Sequence, residues 1–241
     1  RMARATLELG GKSAAVVLDD ASIESVVQAV APQVSMMGMQ FCSALSRVVV
    51  PRHRHDQVVE GLAAALGTVR VGDPFDPATE MGPMSMRRQL ARVEDFIASG
   101  KAEGLTLATG GGRPAGLNSG FYIEPTVFGD APPNARVARE EIFGPVITVI
   151  PARDEEDAIA IANATEFGLN NSVFTADPER FMQVARRLRS GTVGHNAFRS
   201  DFGIAFGGFK RSGIGREGGR AGLMPYLESK TVIMDEEPAA R

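Results

Sequence analysis

Val146-Ile147-Thr148-Val149-Ile150, then Asp154–Ala164, Asn171-Ser172-Val173-Phe174-Thr175, Pro178–Arg189 and Thr192-Val193-Gly194 follow one another without a long gap. The first, third and fifth are short runs with β-branched residues, the signature of buried strands. The second and fourth start at Asp or Pro and read as helices. Parallel neighbours in a sheet need a crossover of helical length, so this alternation predicts an α/β fold with an open, mainly parallel sheet flanked by helices.

Outward from that stretch the pattern repeats. Arg47–Val50, stopped by Pro51, and Ala14–Leu18, ending at Asp19-Asp20, read as further strands. Ser22 caps a helical pattern carrying Ile23, Val26, Val27, Val30 and Val34, in which Pro32 predicts a kink or break. His55–Leu66 is amphipathic, with Val58, Val59, Leu62 and Leu66 at helical spacing. His53 and His55 stand beside arginines, which favours surface roles. The middle of the chain is loop-rich, with Gly72-Asp73-Pro74, Asp76-Pro77 and Gly82-Pro83 before a helix over Ser85–Ser99. Pro225–Met234 reads as an edge strand, and Asp235–Arg241 as a frayed tail.

Composition removes several classes of function. Among 241 residues, 26 Lys+Arg against 29 Asp+Glu leave a net charge of -3, so no basic surplus exists for nucleic acid. No apolar run reaches the ~18 residues of a membrane span. The single cysteine, Cys42, excludes a disulfide within the chain and a multi-cysteine metal site, and the histidines lack ligand spacing. No signal-peptide pattern follows Arg1. The expectation is a cytoplasmic protein without metal, nucleic-acid or membrane partners, and one that is a piece of something longer.

Three segments hold the candidate chemistry. Cys42 lies in Gly38-Met39-Gln40-Phe41-Cys42-Ser43, between a helix and a strand, where a thiol can face a cleft. As a nucleophile it needs a base or a nearby cation. Glu8, between leucines in Leu7-Glu8-Leu9-Gly10-Gly11-Lys12-Ser13, is a candidate base, because a half-buried carboxylate takes protons nearer neutrality. Glu141, in Glu140-Glu141-Ile142-Phe143-Gly144-Pro145, is a carboxylate suited to a ribose hydroxyl beside a flat ring. Gly203–Gly219 fits neither the P-loop nor the dinucleotide fingerprint; tight packing against backbone is preferred over a phosphate cradle.

Taken in order, Glu8-Leu9-Gly10-Gly11-Lys12-Ser13, Gln40-Phe41-Cys42 and Glu141-Ile142-Phe143-Gly144-Pro145 resemble motifs of the NAD(P)-dependent aldehyde dehydrogenase superfamily. Asn163–Leu169, Phe206-Gly207-Gly208-Phe209-Lys210 through Gly215-Arg216-Glu217, and Tyr226–Val232 extend the match over essentially the whole chain. The resemblance is to the C-terminal, catalytic half. It implies that the N-terminal Rossmann-type domain is absent, that residues 1–11 are the junction with it, that 12–211 are the catalytic domain, and that 212–241 carry an oligomerisation strand.

The resemblance also implies roles. Cys42 would attack the aldehyde carbon, and Glu8 would activate the water that hydrolyses the resulting thioester. Glu141 would hold the nicotinamide ribose of NAD or NADP, with Leu9 and Phe143 beside the nicotinamide. Phe202 and Phe206 would line the aldehyde tunnel, and Arg216 with Glu228 would form a charge pair in a homodimer or homotetramer. The thiol is expected to be exposed and activated toward alkylation. Met39 departs from the family's usual Gly, Ala205 from Pro, and Ala14 from Pro. A non-catalytic assembly module and a cofactor-independent thiol esterase are the alternatives; the isolated chain is expected to be inactive as a dehydrogenase.

Overall fold

The computed structural model describes residues 3–117, 119–201 and 203–236. In chain order its strands and helices are β1 (Leu7–Glu8), β2 (Ala14–Val17), α1 (Ile23–Val30), β3 (Arg47–Pro51), α2 (His55–Gly67), α3 (Arg87–Ala102), β4 (Thr106–Thr109), β5 (Thr126–Gly129), α4 (Arg136–Arg139) and β6 (Val146–Ala152). There follow α5 (Glu155–Asn163), β7 (Phe167–Gly168), β8 (Asn170–Phe174), α6 (Pro178–Ala185), β9 (Thr192–His195), β10 (Phe209–Lys210), β11 (Gly213–Ile214) and α7 (Gly219–Leu223).

Seven strands form one sheet in the order β4-β5-β6-β3-β2-β8-β9. All neighbours are parallel except β4, which runs antiparallel to β5 at the edge. The strands are apolar on both sides because both faces are covered. Ala14 and Val16 pack with Leu90, Val93 and Phe96 of α3 and Ala158 and Ile161 of α5. Ala15 and Val17 point the other way, onto Val26 and Val30 of α1 and Val58, Leu62 and Leu66 of α2. Each helix therefore contributes one apolar stripe, and the strands alternate between two cores.

The expected parallel α/β architecture is present, with differences in detail. The pattern from Ile23 to Val34 breaks at Pro32: α1 ends at Val30 and a 3₁₀ turn spans Ala31–Val34. Ser22 does cap α1, accepting from the Ser25 amide. The loop-rich middle contains β4 and β5, which the sequence pattern does not announce. His55 is not a surface residue: it is buried on the apolar side of α2, and its Nε2 accepts from the Asp130 amide at 2.9 Å. Pro225–Met234 forms no strand among the described residues, because no ladder partner meets it within the chain; Met224–Tyr226 is a 3₁₀ turn and Val232 and Ile233 are exposed.

What positions the site is the order of three adjacent strands. The Glu8–Ser13 loop enters β2, the Cys42 loop enters β3 and the Glu141 loop enters β6. Because β6, β3 and β2 are neighbours and parallel, all three loops arrive at the same, amino-terminal edge of the sheet. Arg47, buried at the start of β3, braces this edge. Its guanidinium donates to the Lys12 carbonyl and to Ile161 and Ala162 carbonyls in the last turn of α5, at 2.9–3.0 Å. A cation at a helix C-terminus is favourably placed against the helix dipole.

Candidate active site

The turn before Cys42 is unusual. Met37, Gly38 and Met39 lie in succession in the left-handed region, at φ of 52°, 60° and 55°. Two of the three carry side chains, so the turn is held by its surroundings. Gln40 is one clamp: its Nε2 donates to the Met37 carbonyl at 2.7 Å, and its Oε1 accepts from the Ser85 amide at 2.8 Å. Met39 itself is buried. Phe41 meets Phe198 edge to face at 5.7 Å. The Cys42 carbonyl lies against Gly11, where a Cβ would come within 2.1 Å of it.

Cys42 is half-buried. Burial pushes its thiol up from the ordinary value, and the Glu8 and Glu141 carboxylates push it the same way. These influences, burial first and the two carboxylates after it, favour the protonated thiol and run against the expected activation.

Glu8 sits in the short antiparallel pair β1–β11, opposite Gly213. Its Oε1 accepts from the Gly208 amide at 3.2 Å, while Oε2 is buried with no partner among the described residues. Burial raises the carboxyl above its usual range, the Gly208 bond opposes this, Glu217 adds to it and Arg216 subtracts. A carboxylate with one oxygen fixed and the other unsatisfied is poised to take a proton. The glycine-rich segment serves this geometry by packing onto backbone: at Gly213, φ 150°, a Cβ would lie 2.0 Å from the Leu7 carbonyl oxygen.

Glu141 is fastened by the loop that follows Glu8. The Gly11 amide donates to its Oε1 at 2.9 Å, and a Cβ on Gly10 would lie 2.3 Å from its Oε2. Burial raises this carboxyl; the Gly11 bond, Arg92 and Lys12 oppose the rise. Gln89 donates to the Ile142 and Phe143 carbonyls at 2.9 and 2.6 Å, and Arg92 to that of Glu141. These bonds fix Phe143, at φ 60°, with its ring partly exposed.

Cys42, Phe41, Gly11, Glu141 and Phe143 line one narrow pocket, and Leu9, Gly10 and Glu141 border a wider cleft beside it with Arg92, Arg139 and Arg211. Leu9 is half-exposed, its amide bonded to the Ser212 carbonyl. Phe206 is buried, with its backbone paired to Glu217. Phe202 lies outside the described residues. Arg216 and Glu228 do not pair in the chain: Glu228 takes Arg4 at 2.8 Å, and Arg216 donates to the Gly208 and Gly215 carbonyls. Sequence reasoning missed Lys12, Arg47, Gln89 and Arg92. Of these only Lys12 carried a signal, by standing directly after the paired glycines.

A thiol and two burial-raised carboxylates gathered at the amino edge of a parallel sheet are groups of the kind that covalent catalysis uses. Residues 1–232 match the Aldehyde dehydrogenase family, and the chain belongs to it. It is 45% identical over 238 residues to the betaine aldehyde dehydrogenases of Brucella anthropi and Brucella melitensis, covering 95% of this chain and 48% of each relative. It superposes on the Mycobacterium tuberculosis aldehyde dehydrogenase complexed with NAD+ at a TM-score of 0.93, with 42% identity over 98% of this chain and 49% of that one. A Pseudomonas syringae aldehyde dehydrogenase mutant complexed with NAD+ and octanal gives 0.90, at 43% identity over 94% and 47%. The chain therefore spans about half the length of the relatives it matches.

Proposed function

We propose that the chain is the catalytic half of an aldehyde dehydrogenase that oxidises an aldehyde to a carboxylic acid with NAD or NADP. The observation that carries this is the convergence of the Glu8, Cys42 and Glu141 loops at one edge of β2, β3 and β6. On this reading residues 1–11 are a junction, 12–211 the catalytic domain and 212–241 an oligomerisation segment, with a Rossmann-type domain preceding them in the longer polypeptide.

Glu8 takes the Cys42 proton as sulfur adds to the aldehyde carbon, and the carbonyl π pair moves onto oxygen. The Cys42 amide supplies one donor to that oxyanion. Collapse of this thiohemiacetal expels hydride and leaves a thioester on Cys42. Bound NAD(P)+ supplies the hydride acceptor. Glu8 releases that proton to solvent and then removes one from water, hydroxide adds to the thioester, the C–S bond breaks, the proton on Glu8 returns to the Cys42 sulfur and the acid departs.

The residues present fit the nicotinamide-ribose end of the cofactor. Glu141 has one oxygen fastened to Gly11 and the side-chain-free edge of Gly10 beside the other, which leaves an acceptor for ribose hydroxyls. Leu9 and Phe143 offer exposed apolar surface on either side. Phe206 and Phe202 are assigned to the aldehyde tunnel by the family resemblance, and the Phe41–Phe198 pair, whose Phe41 is next to Cys42 in sequence, is a further aromatic candidate for it. The hydrolytic half-reaction needs only Cys42 and Glu8, so the isolated chain reads as an esterase for activated esters.

The test uses a polypeptide of the relatives' full length. Cys42→Ala is expected to abolish dehydrogenase and esterase activities together, and retention of either overturns the assignment.

A further inference from the structure

Lys12 is buried, 2% exposed, yet its Nζ has no hydrogen-bond partner among the described residues. Lysine is among the residue types least often found in this state. Its backbone is fixed on both sides. The Lys12 carbonyl accepts from Arg47 Nε at 2.9 Å, and the preceding amide, of Gly11, donates to Glu141 Oε1. The charged groups that act on Lys12 come from three places: Arg47 on β3, Arg92 on α3, and Glu140 and Glu141 in the loop before β6. Two are cations. The two carboxylates are the attractive partners, and Glu141 is the one whose side chain lies against Gly10 and Gly11, the two residues just before Lys12.

We propose that Lys12 is a positioning residue, the buried cation that seats the Glu141 carboxylate against Gly10 and Gly11 so that it faces the cofactor ribose. The ribose part rests on the function proposed above. The Gly11 amide fixes one oxygen by a directional bond. The buried ammonium adds a non-directional pull, and Arg92 donates to the Glu141 backbone carbonyl. Burial and Arg47 together bring the Lys12 amine down to about 7. The seat therefore has a pH window: it forms as Glu141 ionises and loosens as Lys12 deprotonates near neutrality.

The experiment titrates the chain by NMR with ¹³C-carboxyl glutamate, assigning Glu141 by its loss in Glu141→Gln. In the unaltered chain the Glu141 resonance should show its own ionisation and a second inflection near pH 7. Lys12→Met should raise the first midpoint by more than 0.3 pH and erase the second inflection; Lys12→Arg, which keeps the charge, should restore the lower midpoint. A single inflection in the unaltered chain overturns the proposal without recourse to any variant, and so does a Lys12→Met midpoint unmoved within 0.3 pH. Separately, Glu141→Gln in the full-length polypeptide should weaken NAD+ binding at least tenfold. Unchanged binding overturns the ribose reading, while the NMR result still decides whether Lys12 seats Glu141.

Discussion

The Gly11 amide donates to Glu141 Oε1 at 2.9 Å, although 130 residues separate them in sequence. This bond joins the loop that enters β2 to the loop that enters β6, across the Cys42 loop between them. The neighbouring contacts set unequal tolerances for a methyl group. On Gly11 a Cβ would strike the Cys42 backbone carbonyl at 2.1 Å, whereas on Gly10 it would strike the Glu141 carboxylate at 2.3 Å. Backbone in a closely packed loop yields less readily than the end of a side chain. Gly11→Ala should therefore cost about 2–4 kcal/mol, in the range of severe overpacking, and Gly10→Ala about 1 kcal/mol or less. Urea denaturation of both variants checks the order, and equal costs would show that the Cys42 loop is more pliant than its contacts imply.

Thiol reactivity gives the second prediction. Burial, Glu8 and Glu141 all push Cys42 up, so its alkylation by iodoacetamide at neutral pH should be slower than that of a free cysteine. Replacing Glu8 by Gln removes one like charge while keeping an acceptor for the Gly208 amide. The pH midpoint of alkylation should fall and the neutral rate should rise several-fold. A midpoint unchanged in Glu8→Gln would mean that the two groups do not face each other.

Stability against pH tests the buried amine. The Lys12 amine falls from its ordinary 10.5 to about 7 in the fold, so between those values the unfolded chain binds the extra proton. Stability rises with pH wherever the unfolded state holds more protons. The cost of burying the ammonium is thus fully present below pH 7 and relieved on the way to 10.5. Lys12→Met should be more stable than the unaltered chain at pH 6 by a few kcal/mol, because each pH interval of one between the two values is worth ~1.4 kcal/mol. That gap should close as pH approaches 10. Urea midpoints across this range decide it, and a constant gap would place the amine in contact with solvent.

Parts of this architecture were open to reading and parts were not. The run from Val146 to Gly194 announced its alternation because parallel central strands are continuous apolar blocks between capped helices. Thr126–Gly129 did not, because four residues between Pro125 and Asp130 are too few to show a period, and β4 is a mostly exposed edge. Cys42, Glu8 and Glu141 stood out through their motifs, but their charge states did not. The raised thiol comes from burial and from two carboxylates 34 and 99 residues away in sequence. His55 and Lys12 were illegible for a related reason: residue type argues for the surface, and only the closed fold puts them inside.

The C-terminal segment gives a prediction of self-association. Leu227, Val232 and Ile233 are exposed on residues that form no ladder within the chain. We expect at least a dimer, with this segment pairing as a strand on a second copy. Sedimentation at tens of micromolar should show it, and Val232→Lys with Ile233→Lys should return the species to monomer. A monomer before substitution would contradict the assignment of the segment.

On the proposed function, Cys42 forms the covalent bond and Glu8 activates the water that breaks it. Intact-mass spectrometry of the chain with 4-nitrophenyl acetate at mildly alkaline pH tests both parts without any cofactor. The expected result is a single acetyl adduct on Cys42, none in Cys42→Ala, and a larger steady-state fraction acylated in Glu8→Gln than in the unaltered chain. Acetylation at another residue in place of Cys42, or an acyl fraction unchanged by Glu8→Gln, would contradict it.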